Sequence, residues 1–241
     1  MKTQEKNFDG IKLSGFTAIL IMLALTGTAI YLLSLPQTPS IIAGVICGIC
    51  VVVMLPGFMI IQPNNSRVLT FFGRYAGTVI SNGFYWVNPL FLKSTVTLRI
   101  LNLNIDPIKV NDKVGNPIMI GAVVVWRIKD TYKASFDISG NIREFVQIQS
   151  DAALRQVAGM YAYDTNETID KVTLRSDESG EITQRLEDEL NSRLAIAGIE
   201  IVEARINYLA YASEIASVML RRQQADAIIS ARERINVEEL K

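Results

Sequence analysis

The chain of 241 residues contains no histidine. That absence removes the commonest general base and the commonest metal ligand. A Ser-His-Asp site is excluded, because no imidazole is there to activate a serine. Only Cys47 and Cys50 are present, too few for a disulfide framework or a four-ligand zinc site within one chain. Charge of either sign is missing from the whole interval between Lys12 and Arg67. Over the full chain Lys+Arg and Asp+Glu balance at 24 each, so net charge draws the protein neither to nucleic acid nor to acidic partners.

What fills the uncharged interval is apolar. The mean hydropathy of +0.25 is high for a soluble protein, and the excess sits at one end. Leu13–Leu35 and Ile41–Ile61 are each long enough to cross a bilayer, which takes about 20 apolar residues. Between them lies Pro36-Gln-Thr-Pro39, which ends one helix and starts the next. The expectation is a transmembrane helical hairpin with a very short turn. A signal peptide fits poorly, since the first span is too long and a second follows at once.

Such a hairpin returns the chain to the side it left. Lys2, Lys6 and Lys12 precede it, and Arg67 and Arg74 follow. Positive charge at both inner ends places the large domain in the cytoplasm of a bacterial-type cell membrane. A shallower hairpin is the alternative, because Pro56 and Gly57 can break the second span early. Cys47-Gly-Ile-Cys50 is read as packing; lipidation or crosslinking is the other reading.

Past Ile61 the pattern changes. Arg67–Phe72 is β-branched and aromatic and reads as a strand. Ser94–Ile105 alternates, with a phase slip near Ile100 that predicts a bulge or bend. Ile118–Ile128 alternates as a further strand. Short connections make these strands antiparallel candidates. Helices take over after Lys129. Asn141–Ala162 puts Phe145, Ile148, Ala152 and Val157 on or near one face. Ile182, Leu186, Leu190 and Leu194 recur every four residues, and Gly198 supplies a stop. Ile199–Tyr208 returns to strand character. Ser213–Lys241 has no Gly or Pro and reads as a long helix. Its apolar positions Ile215, Val218, Ala225 and Ile229 drift and the face includes Arg222, so it is no strict dimeric coiled coil. Packed copies of itself would bury its partial stripe. Strands followed by helices make the class α+β.

Phe71–Leu90 holds Gly73, Gly77 and Gly83 among aromatics. A dinucleotide loop needs different spacing and a following helix, and the Gly-Lys-Ser/Thr of a P-loop is absent. The glycines read as turns between short strands. Phe71, Phe72, Tyr75, Phe84, Tyr85 and Trp86 then fill a core or face the bilayer.

The stretch Val68–Leu90 resembles the opening of the SPFH/Band 7 (stomatin/prohibitin/flotillin/HflK-HflC) family. Phe72-Gly-Arg-Tyr75 matches its first element, and Gly83, Phe84 and Pro89 its second. Thr131–Asp164 and Leu190–Leu209 resemble its later landmarks, so the likeness covers roughly Gln62 to Lys241. The resemblance implies a non-enzymatic membrane scaffold that assembles side by side into rings or cages, with long helices as the wall. Some members enclose membrane proteases, and some organise lipid microdomains or ion channels. This chain differs from common members in having two spans, and in ending at Lys241 where members usually continue into a longer coiled coil and a cap.

The expected organisation is an N-terminal segment 1–12, a two-span hairpin 13–61, an SPFH/Band 7 domain 62–212 and the start of an assembly helix 213–241. The expected partners are membrane lipids, further copies of the chain or a paralogue, and a membrane protease; no nucleic acid is among them. The other function readings are a regulatory subunit of a membrane enzyme and, less well supported, a channel component, for which the uncharged spans offer no polar pathway. No catalytic, cofactor-binding or metal-binding residue is nominated. Lys93 and Ser94 are neighbours on a strand and point apart. Asn111 and Asp112 lack calcium-loop spacing.

Overall fold

The uncharged interval forms two helices in the computed structural model, which describes residues 5–164, 172–176, 180–222, 224–225 and 228. Helix α1 is Gly15–Ser34 and helix α2 is Thr38–Met54. Leu35 leaves helical geometry because Pro36 follows it. Pro39 sits in the first turn of α2, where its missing N–H costs nothing. The three threonine hydroxyls and the one serine hydroxyl of α1 donate within their own helix or to its cap. Thr17 bonds Ser14 O, Thr26 bonds Met22 O, Thr28 bonds Ala24 O and Ser34 bonds Tyr31 O. A helix meant for lipid needs this, since no water is there to accept them. The two helices pack through small residues, with Ala18, Ala29 and Gly44 buried. A Cβ on Gly44 would meet Leu33 Cγ at 2.8 Å and Ala29 O at 3.2 Å. Most of the remaining apolar surface of both helices is exposed.

The apolar run Ile41–Ile61 is not one helix. The second helix begins earlier, at Thr38, and a 3-10 turn Leu55–Gly57 ends the apolar span. Phe58–Ile61 is a strand. Pro56 and the crowding around Gly57 explain the break: a Cβ there would lie 2.3 Å from Trp86 Nε1 and 2.6 Å from Val87 O.

The described residues form two compact units. The first takes in those of Met1–Arg99 together with Ile128–Asp137. Besides the hairpin it has two three-stranded antiparallel sheets. One is ordered β1-β5-β2, from Lys12–Ser14, Gly83–Val87 and Phe58–Ile61. The other is ordered β4-β3-β6, from Arg74–Val79, Asn65–Phe71 and Phe91–Thr97. Strands β3 and β4 are joined by Phe72 and Gly73 alone, at φ 45° and 80°, the signature of a type I′ hairpin turn. Gly73 meets that demand without strain. Met59, Ile61, Leu69, Val79 and Val87 make the core of this unit, with Phe8, Tyr85 and Phe91 packed on it. Helix α3 (Thr131–Phe136) is capped by Asp130, whose carboxylate accepts from Lys133 N at 3.0 Å.

The second unit comprises Ile100–Arg127 and the described residues from Ile138 onward. Its sheet is β7-β8-β9, from Leu101–Asn111, Pro117–Ile128 and Ile199–Tyr211. Helices α4 (Ile142–Ala158) and α5 (Glu181–Leu194) pack with it. The four-residue repeat of α5 is its buried face: Ile182, Leu186, Leu190 and Leu194 are all fully buried. Gly198 takes the left-handed conformation after the following 3-10 turn, as its stop role predicts. On α4 the expected face is corrected. Ile148 is 57% exposed, and Val146, Ser150, Ala153, Leu154 and Val157 are buried instead. Only Val157 belongs to both sets. The phase slip near Ile100 is a break between β6 and β7; the bulge lies further on, between Ile105 and Ile108. Pro107 sits inside it, where the ladder loses a donor.

A helix, α6, begins at residue 213 and runs through 222; 224, 225 and 228 are helical too. Ile229 and the rest of the expected long helix lie outside the described residues. The α+β class with two apolar helices at the start holds as expected.

Candidate membrane-anchoring site

Both arms of the hairpin join a single strand. On one side of β5, Lys12, Leu13 and Ser14 pair with Val87, Trp86 and Tyr85. On the other, Phe58–Ile61 pair with Trp86–Gly83. The chain therefore enters α1 and leaves α2 hydrogen-bonded to the same five residues. Strand alternation sorts their side chains. Tyr85 and Val87 join the core of the first unit. Phe84 and Trp86 turn to the helix bases. The Phe84 ring meets Phe16 edge-on at 5.5 Å and stacks on Phe58 at 5.5 Å. Trp86 Nε1 donates to Met54 O at 2.9 Å, taking up a carbonyl from the last turn of α2.

Basic side chains surround the same strand. The Lys12 ammonium lies 4.8 Å from the Tyr85 ring centroid and donates to Ser81 Oγ at 3.4 Å. Lys93 on β6 donates to Pro56 O. Ser94, its neighbour, pairs with Val68 on the opposite face and is exposed, so the two do not form a dyad. Among the described residues no group of three or more His, Cys, Asp or Glu is placed to hold a metal.

The aromatics of Phe71–Trp86 are divided by the fold. Tyr75 packs edge-on against Tyr132 and Phe136, at 4.8 and 5.8 Å. Phe71 and Phe72 stand exposed at the hairpin tip, 37% and 78% accessible. Only Phe84 and Trp86 reach the anchor.

The N-terminal segment adds a contact that composition did not signal. Phe8 N donates to Thr78 O at 3.0 Å, and Thr78 N to Lys6 O at 2.9 Å, so the segment lies along the free edge of β4. A polar chain completes it: Tyr75 OH shares a hydrogen bond with Thr78 Oγ1 at 2.7 Å, and Thr78 Oγ1 another with Thr131 Oγ1 at 2.9 Å. Thr131 Oγ1 donates in turn to Glu5 Oε1 at 2.6 Å.

Asp112, set aside as a calcium ligand, has a structural task. Its Oδ1 accepts from Val114 N and Asn116 N at 3.0 and 2.7 Å. Its Oδ2 accepts from Asn116 Nδ2 and Tyr163 N, both at 3.1 Å. The residue is 5% exposed and ties the β7–β8 turn to the segment after α4.

The family model for the SPFH domain / Band 7 family matches residues 59–241, starting at the second residue of β2 and so directly behind the hairpin. The chain belongs to the SPFH domain / Band 7 family. No curated protein matches it. Members of this family are generally non-enzymatic, membrane-associated scaffolds. With two apolar helices ahead of its SPFH region, this chain is a membrane protein.

Proposed function

We propose that this SPFH protein is an integral membrane scaffold. It self-assembles through its SPFH domain and the helix that starts at residue 213 into a large ring or cage. Membrane proteins or lipids inside the ring are held apart as a microdomain. The family match over residues 59–241 is the observation that carries this reading. The exposed apolar residues of α6 support it: Val218, Leu220 and Ile228 are 62%, 57% and 58% accessible and call for neighbours. Further copies of the chain, or of a paralogue, are the neighbours that fit a repeating wall.

In this reading the hairpin crosses the bilayer and returns. Helix α1 has 20 residues and so a length of about 30 Å, the thickness of the hydrocarbon core. Lys6, Lys12 and Arg67 at the inner ends put the SPFH domain in the cytoplasm. The work is geometric and has no chemical step. The clamp on β5 fixes each subunit to its anchor, and neighbouring subunits close the fence. A membrane protease is the client class proposed.

The copy number per client tests this. Mild crosslinking in membranes, followed by quantitative mass spectrometry of the purified complexes, should find many copies of the chain per client. Near-equal copies would contradict the fence and make the chain a regulatory subunit of one membrane enzyme.

A further inference from the structure

Among the described residues, two cations at the base of α2 have no acidic partner. Arg67 on β3 is opposite Thr95 of β6, and Lys93 of β6 is opposite Leu69 of β3. Paired residues share a face, so Arg67 and Lys93 are diagonal neighbours on one side of the sheet, within reach of each other's long side chains. Leu69 on that side belongs to the core, which places the cations at its rim.

The hydrogen bond from Lys93 to Pro56 O sets the height of this pair. Pro56 lies at the end of the apolar span Thr38–Gly57, where hydrocarbon gives way to headgroups. One of the three ammonium hydrogens is used there, and two remain. Arg67 Nε is buried and donates to nothing among the described residues. Neither side chain enters an ion pair among them. Burial first, and the Arg67 charge second, hold the Lys93 ammonium below the usual lysine range. Two like charges side by side, one with an orphaned buried donor, cost stability unless an anion joins them. An oxyanion between them supplies the acceptor that Arg67 Nε lacks and offsets the repulsion.

We propose that Arg67 and Lys93 bind the phosphate of an anionic phospholipid beside Pro56. The site rests on the reading of α2 as a membrane helix. A lipid is the source that fits, because the position at the end of the span presents the pair to the headgroup layer. Guanidinium and ammonium are both suited to a phosphate, the first by its fork of donors and the second as a point charge.

The test uses the full chain in neutral detergent, titrated with phosphatidylglycerol and with phosphatidylcholine at one fixed salt concentration. The chain should prefer phosphatidylglycerol. Arg67→Gln and Lys93→Gln should each weaken its binding by about fivefold, the worth of one basic residue at a membrane surface. Arg67→Lys and Lys93→Arg should keep the preference, which separates lost charge from lost folding. Arg74→Gln, at the exposed hairpin turn, should leave it unchanged. Equal binding of the two lipids, or Gln variants that bind as the parent does, would overturn the proposal. Complete displacement by millimolar inorganic phosphate would also overturn it, in favour of a free-anion site. Alkaline extraction of vesicles holding the chain separates the two readings. Release of the chain sinks the anchor itself, whereas retention without a lipid preference sinks only the site.

Discussion

Trp86 Nε1 donates to the carbonyl of Met54 at 2.9 Å, joining the middle strand of the anchor sheet to the last turn of the second apolar helix. A helix end near the membrane has carbonyls without intrahelical partners, and this one is met by a side chain of the folded domain. Trp86→Phe keeps most of the ring and deletes the donor. It should lower thermal stability in detergent by about 1 kcal/mol. Trp86→Ala should cost more, because the wall beside Gly57 is lost as well.

Asp112 supplies a second check, remote from the anchor in sequence. Asp112→Ala leaves the N–H groups of Val114, Asn116 and Tyr163 without their acceptor. The expected loss is about 3 kcal/mol, in the range for buried hydrogen bonds to a charged group. Denaturant melts of the full chain in detergent measure it. A loss under a few tenths would mean that water replaces the carboxylate freely.

The corrected face of α4 and the repeat of α5 are tested as a pair. Leu186→Ala opens a cavity at a fully buried position and should cost about 2–5 kcal/mol. Ile148→Ala, at a position 57% exposed, should change stability by about 0.5 kcal/mol or less. Similar losses at both sites would put Ile148 in an interface that forms on assembly.

Asp151 gives a pH dependence with a defined sign. Burial first raises its pKa above the ordinary 3.8; Asp106 pushes the same way, and Arg155 opposes. Its Oδ1 is buried and has no hydrogen-bond partner among the described residues. A carboxyl whose folded pKa is raised favours folding fully below the unfolded value, and that contribution fades as pH rises through the folded value. Asp151→Asn should therefore be more stable than the parent at pH 7, and the difference should close as pH falls to about 3.8 and below. Thermal melts across that range decide it. A parent more stable than the variant at neutral pH would reverse the assignment.

How much of this was legible depended on which residues carried the signal. The face of α5 was plain because Ile182, Leu186, Leu190 and Leu194 are large and evenly spaced. That of α4 was not, because Ser150 and Ala153 help to fill its buried side and small residues leave no hydrophobic periodicity. The end of the second span was hidden for a related reason. Phe58–Ile61 is as apolar in a core strand as in a membrane helix, and composition does not separate the two. The seat of Lys6–Phe8 on β4 is made by backbone groups, which any sequence supplies. At the anchor, the aromatic run announced an interface. The partners of Trp86 and Lys93 are main-chain carbonyls at a helix end, which no pattern of side chains reveals.

The central claim is assembly, and the most direct measurement is the mass and shape of the full chain extracted in mild detergent, by light scattering and negative-stain electron microscopy. The account predicts closed rings or cages of many subunits. A uniform monomer or dimer would contradict it.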